Sequence, residues 1–218
     1  MTPPRIAVVG AGHAGPVIAR AIMDAGNPVS IAASAGPDQI ALLAQVLTPG
    51  AEPRWAADAV ADADIVVLSI PLHRFAALDP SPLVGKTVID AMNYWPPTDG
   101  VQELFEDPRL GSSEIVQNRL AQSSVVKTFN HVGYHDLEDW RRPVGAADRL
   151  ALGVAGDDPR AVDLVALLVE RVGYDAVRLD SLRAGRALEP GHAVFGAPLR
   201  RDEFEAALGA CATSEAAA

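Results

Sequence analysis

The chain holds one cysteine, Cys211, among 218 residues. Without a second thiol, neither a disulfide framework nor a cysteine-rich metal site can form within it, and a reducing, cytoplasmic setting is expected. Basic residues are scarce as well: 18 lysines and arginines face 28 acidic residues, for a formal charge of −10, and no Lys/Arg cluster occurs. That balance argues against nucleic acid or an anionic membrane surface as a partner and leaves a small molecule. Long apolar runs are missing too. The first, Ile6 to Val9, is too short for a signal-peptide core and gives way at once to glycine, and no segment approaches the length of a membrane span. What remains is a globular composition, 49% hydrophobic and 21% charged, able to bury a core without staples.

Short apolar runs bounded by turn residues recur at helical spacing: Ile6–Val9, Val29–Ala32, Ile65–Ile70 and Thr87–Asp90. Such runs read as strands buried on both faces and joined by crossover helices. Between the first two, Val17, Ile18, Ala21 and Ile22 fall on one helical face, with Gly26 as a C-cap. Further helices are expected over Asp38–Val46, after Pro37, and over Ala56–Ala61. Past Asn93-Tyr94-Trp95-Pro96-Pro97, an irregular loop, a helix from about Ser113 to Leu120 precedes the run Val125–Phe129. Residues Leu150–Ala155, a helix from Pro159 to Val172 and Ala176–Leu179 complete another unit, which either extends the sheet or forms a small lobe. The expected architecture is a Rossmann-type, doubly wound, mainly parallel α/β sheet, with a dinucleotide-binding domain over residues 1–145 and a small C-terminal α/β extension over 146–218. The tail from Ala206 to Ala218 is alanine-rich with few packing residues, and its end is expected to fray.

The turn Gly10-Ala11-Gly12-His13-Ala14-Gly15 follows the first strand and opens the first helix. There G-x-G-x-x-G has a physical meaning: Gly10 permits the tight turn, Gly12 lets backbone approach a pyrophosphate, and Gly15 permits close helix packing. The helix N-terminus then faces the phosphate charge. The bland alternative is a tight turn without a ligand. After the second strand stand Ala33-Ser34-Ala35-Gly36, without the acid that would hold the ribose hydroxyls of NAD. Ser34 can bond the extra phosphate of NADP, although the nearest downstream base is Arg54, and Ser34 reads equally as a helix cap.

Ser69, Ile70 and Pro71 lie where open α/β sheets bind ligands, Pro71 also reading as a strand stop, and His73 and Arg74 follow in a position to reach the cofactor or else as solvated residues. Asn93, Asn130 and His131 follow other strand ends and are the expected polar contacts to the nicotinamide or the acceptor, loop-capping hydrogen bonds being the alternative for each. Lys127, inside an apolar strand, reads as a residue that snorkels to the sheet edge or braces a loop, or less readily as a proton donor. His131, His135 and Asp136 lack a third convincing ligand, so no metal is expected.

Taken in order, Gly10–Gly15, Ser69-Ile70-Pro71, Asp90-Ala91-Met92-Asn93, Val126-Lys127-Thr128-Phe129-Asn130 and Val154-Ala155-Gly156-Asp157-Asp158 resemble the deazaflavin (coenzyme F-420)-dependent NADP oxidoreductase family over nearly the whole chain. Gly173–Val177 through Leu188-Glu189-Pro190 looks like the close of its bacterial members. The resemblance implies a Rossmann enzyme that moves a hydride between NADPH and a 5-deazaflavin co-substrate. The glycine turn and Ser34 would hold NADP, Ile70 and Pro71 would line the nicotinamide side, and a homodimer is possible. Pyrroline-carboxylate reductases and hydroxyacid dehydrogenases would share the nucleotide-binding start but carry a long helical C-terminal domain. A non-catalytic NADP sensor is the alternative from another class.

Overall fold

Each apolar run becomes a strand because both of its faces are covered. Along β1 (Ile6–Val9), Ile6 and Val8 point into one core, while Ala7 and Val9 point into a second on the opposite face. In the computed structural model, which describes residues 2–215, the chain then runs through α1 (Ala14–Asp24), β2 (Val29–Ala32), α2 (Pro37–Leu47), β3 (Glu52–Pro53), α3 (Ala56–Asp62), β4 (Ile65–Leu68), α4 (Leu72–Phe75) and β5 (Thr87–Asp90). It continues through α5 (Pro96–Asp99), α6 (Ser112–Arg119), β6 (Ser124–Lys127), α7 (Asp136–Asp139), β7 (Ala151–Gly156), α8 (Pro159–Val172), β8 (Asp175–Leu179) and α9 (Arg201–Glu215).

All eight strands form one sheet in the order β3-β2-β1-β4-β5-β6-β7-β8. The pairings are parallel except β6 with β7, where Val126 faces Gly156 and Lys127 faces Ala155. The expected mainly parallel, Rossmann-type α/β sheet is therefore what the chain forms, and of the two readings of residues past 145, extension of the same sheet is the one observed. One core lies between the sheet and α1 with α8, and the other between the sheet and α4 with α6. Helix α8 shows why the sequence folds this way: Pro159 opens it, Asp158 caps it by accepting the Arg160 N–H, and its buried Val162, Val165, Val169 and Val172 fall on one face.

Helix α9 carries the tail past Ala206 to Glu215, with Phe204 buried against Val177, Leu188 and Val194; the end of that tail, 216–218, where fraying is expected, lies outside the described residues, as does the side chain of Cys211. The strand expected to reach Phe129 stops at Lys127, since Phe129 turns into the left-handed region at φ 62°. A buried phenylalanine there costs on the order of 1 kcal/mol or more and redirects the chain sharply at the sheet edge.

Candidate functional site

The carboxyl ends of the parallel strands are laced into a row by backbone bonds. Gly10 N–H donates to the Ala32 carbonyl at 2.8 Å, Ser69 N–H to Val9 at 2.9 Å, Ala91 N–H to Leu68 at 3.1 Å and Thr128 N–H to Asp90 at 3.4 Å. The Gly10–Gly15 turn sits at the middle of this row, and each glycine has a separate steric reason. A Cβ on Gly10, whose φ is +129°, would lie 2.1 Å from the Ser69 carbonyl oxygen. One on Gly15 would lie 1.8 Å from the Gly10 carbonyl oxygen, so α1 can start this close to β1 only without a side chain. At Gly12 a Cβ would meet nothing within 4 Å. Gly12 is thus not required by packing; its bareness leaves the space above the turn open.

That space faces unsatisfied donors. Helix α1 has no side-chain cap at His13 and no acid in its first turn. The amides of Ala11, Gly12 and His13 make no backbone hydrogen bond among the described residues. Free amides and the positive end of an eleven-residue helix converge on one open point, which is the arrangement that binds phosphate oxygens. Ala14 is half-buried beside them. The residues present therefore fit a dinucleotide pyrophosphate.

The chain leaving β6 folds back over this turn, a feature sequence reasoning missed. The Tyr134 ring stacks on His13 with centroids 5.4 Å apart and an interplanar angle of 20°, and His135 lies against Tyr134 at 4.1 Å. Arg20 of α1 clamps Glu138 of α7 with two bonds of 2.7 and 2.6 Å. No spacing in the sequence signals such contacts across more than a hundred residues. Among the described residues no group of three or more His, Cys, Asp or Glu gathers as metal ligands would.

At the β2 end, Ser34 is exposed and its hydroxyl makes no hydrogen bond among the described residues. It is not the helix cap weighed from sequence, because α2 is capped at Gly36 without a side-chain bond. The Trp55 indole presses on Gly36, where a Cβ would lie 2.7 Å from the ring. Arg54 is turned away to Asp62 at 2.7 Å.

At the β4 and β5 ends, Ser69 and Ile70 are half-buried and Pro71 is exposed. Ile70 packs on the core that holds Met92 and Phe75. His73, expected to reach the cofactor, instead bonds Asp99 at 3.1 Å; Asp99 also accepts the Trp95 N–H, which fixes the proline-rich loop. Asn93 and Asn130 do come together. Asn130 Nδ2 donates to Asn93 Oδ1 at 2.9 Å and to the Leu188 carbonyl at 2.7 Å, and Asn93 Nδ2 donates to the Asn130 carbonyl at 2.6 Å.

His131 is placed differently from the expectation. It is buried against Phe204, and its Nε2 accepts the Gly153 N–H at 3.0 Å, which leaves Nδ1–H to donate to Asn130 Oδ1 at 3.1 Å. Both ring nitrogens are used inside the protein, so neither can face a ligand. Burial, aided by the Lys127 charge, holds its pKa down at about 3. Of the readings of Lys127, bracing is the one observed: it is fully buried and does not snorkel. Its Nζ donates to Ser113 Oγ at 2.9 Å and Ser112 Oγ at 3.2 Å and stands 3.6 Å from Asp90 Oδ2, so it braces the β5 and β6 ends beneath Met92 and has no path to a substrate carbonyl.

Comparison with known proteins agrees with this geometry. Residues 5–94 match the family model described as NADP oxidoreductase, coenzyme F420-dependent. No protein of curated function matches the chain in sequence. Among solved structures, a hypothetical protein from Sinorhizobium meliloti is similar at 27% identity and TM-score 0.78, over 93% of this chain and 97% of that one. A structure described as an F420-dependent NADP-reductase from Arthrobacter sp. FB24 is similar at 27% identity and TM-score 0.68, over 85% of this chain and 90% of that one. An imine reductase from Pseudomonas sp. shares the fold at 16% identity and TM-score 0.57; this chain covers 64% of its length.

Proposed function

We propose that this chain, whose residues 5–94 match the family model described as NADP oxidoreductase, coenzyme F420-dependent, is an NAD(P)-dependent oxidoreductase that transfers a hydride between NADP(H) and a deazaflavin or flavin-like acceptor. The observation that carries the proposal is the glycine turn: two glycines forced by contacts of 2.1 and 1.8 Å, and between them Gly12 left bare over unpaired amides.

When bound, the nicotinamide supplies the redox chemistry. The chain's own residues supply binding, orientation and exclusion of water. The amides of Ala11, Gly12 and His13 bind the pyrophosphate, with the α1 dipole behind them. Ser34 offers an unengaged hydroxyl to the 2′-phosphate, and the lack of a carboxylate among residues 33–36 removes the group that would repel it. Ile70 and Pro71, with buried Met92 behind Ile70, form the apolar wall beside the nicotinamide. Asn93, locked by Asn130, presents a fixed polar edge at the next strand end, where a hydrogen bond to the nicotinamide amide or to the acceptor costs little side-chain entropy. A cytoplasmic site of action accords with the single cysteine, and among the described residues no helix is long and apolar enough to cross a membrane.

Mixing the protein with NADPH and, separately, a deazaflavin, a flavin and a ferric acceptor tests the proposal by the loss of reduced-nicotinamide absorbance. Oxidation by the deazaflavin in preference to the others is expected. If NADPH binds and none of the three is reduced, the enzyme assignment yields to the sensor. Gly12→Val adds a control: the fold survives because the site is open, with melting unchanged within about 2 °C, whereas NADPH affinity falls at least roughly tenfold.

A further inference from the structure

We propose that the protein has a second small-molecule site, separate from the dinucleotide turn, which takes an organic phosphate: an oxyanion carried on a small apolar body. A cavity of about 460 Å³ opens between the end of β8, the 3-10 segment 183–188 and α9. That is within the few hundred to a thousand cubic ångströms usual for ligand pockets. Arg178, Arg183 and Arg186 line it, and the only acid lining it among the described residues is the exposed Asp180. In a protein of net charge −10, three arginines against one acid make a local reversal of sign.

Two of these arginines have nothing else to do. Neither Arg183 nor Arg186 makes an ion pair or hydrogen bond through its guanidinium among the described residues. Arg178 bonds Asp163 at 3.0 Å, but both groups are half-exposed or more, so that pair adds little and competes weakly with an anion in the cavity. Guanidinium forks match phosphate oxygens with paired, charge-assisted bonds. Ser181 accepts the Ala184 N–H at 3.2 Å and keeps its own hydroxyl proton as a further donor. The remaining wall is apolar, from Leu179, Ala187 and Leu208, and this selects a ligand with a body over a bare ion.

NADP cannot account for the cavity. Five strand spacings separate β1, which carries the glycine turn, from β8, or about 24 Å across the sheet. The two sites are nevertheless linked, since the segment that lines the cavity runs on into Leu188 and Glu189. The Leu188 carbonyl holds Asn130, and Glu189 accepts both the N–H and the hydroxyl of Ser112 at 2.7 Å.

Calorimetry with phenyl phosphate as probe, with inorganic phosphate and benzyl alcohol as the two halves of its chemistry, tests the proposal. All titrations are run with the dinucleotide site saturated by NADP+. Saturable one-to-one binding of phenyl phosphate, tighter than either half, is expected. It should weaken at least roughly tenfold in Arg183→Gln/Arg186→Gln, with NADPH affinity and melting unchanged. Ala187→Met, which fills the cavity and leaves every charge, should weaken it as well. Absence of saturable binding in the presence of NADP+, or binding indifferent to both variants, overturns the proposal. Inorganic phosphate binding as tightly as phenyl phosphate overturns it too, since that would reveal a surface anion site without a pocket.

Discussion

Protonation of a single buried imidazole should make this protein lose stability in mild acid, by an amount the structure fixes. His131 accepts the Gly153 N–H at Nε2, so a second proton cannot be added without breaking that bond, and burial beside the Lys127 charge keeps the native pKa at about 3. In the unfolded chain the same ring titrates near its ordinary value of about 6.5. Between these values the unfolded state binds a proton that the native state does not, so stability rises with pH through this window and is lost as pH falls. From pH 7 to pH 5 the loss from this one group is about 2 kcal/mol, with a limiting slope of about 1.4 kcal/mol per pH unit. Other groups contribute to the total pH dependence, so the quantity to measure is a difference. Urea unfolding of the wild type and of His131→Gln, whose carbonyl can still accept from Gly153, is followed between pH 5 and 7. His131→Gln will be less stable at pH 7, but its stability should fall by about 2 kcal/mol less across the interval. Parallel profiles for the two proteins would refute a buried, neutral His131.

Lys127→Met should destabilise by about 3–5 kcal/mol, because it leaves Asp90 charged and buried; adding Asp90→Asn, which keeps an acceptor for the Met92 N–H, should recover most of the loss in urea unfolding. Gly15→Ala should cost more than about 2 kcal/mol and broaden the thermal transition, because its Cβ would overlap the Gly10 carbonyl oxygen and neither backbone can yield without moving α1 from β1.

Much of this fold was legible because its strands are buried on both sides. Ile65–Leu68 and Ala151–Gly156 carry no polar residue to blur the pattern, and the proline openings of α2 and α8 mark their starts. The elements that escaped are those whose formation depends on neighbours. Strand β3 is two residues long and exists because Ser30 and Ile31 offer their backbone. Helix α9 has few apolar residues and reads as a tail, yet buried Phe204, with Ala207 and Leu208 packed beside it, anchors it against Val177, Leu188 and Val194. Phe129 looks like the last residue of a strand because its side chain suits one; its left-handed backbone is imposed by the turn that delivers Asn130, and side-chain type carries no trace of that.

The candidate site divides along the same line. The glycine turn could be read directly, since backbone geometry dictates residue type there: no other residue fits 1.8 Å from a carbonyl oxygen. The polar residues at the strand ends were ambiguous because sequence tells which groups can bond and not which partner reaches them first. His131, His73 and Lys127 each found a partner inside the protein, in Gly153, Asp99 and the Ser112–Ser113 pair; burial takes His131 and Lys127 out of a ligand's reach, while His73 stays exposed with its ring tied at Nδ1. Asn93 differs in being half-buried while its amide is held by Asn130, so it is oriented and still borders solvent. A side chain that is both fixed and accessible can recognise a ligand at low entropic cost. By that criterion we propose Asn93 as the ligand contact at these strand ends, with Asn130 and His131 behind it as the struts that hold it in place.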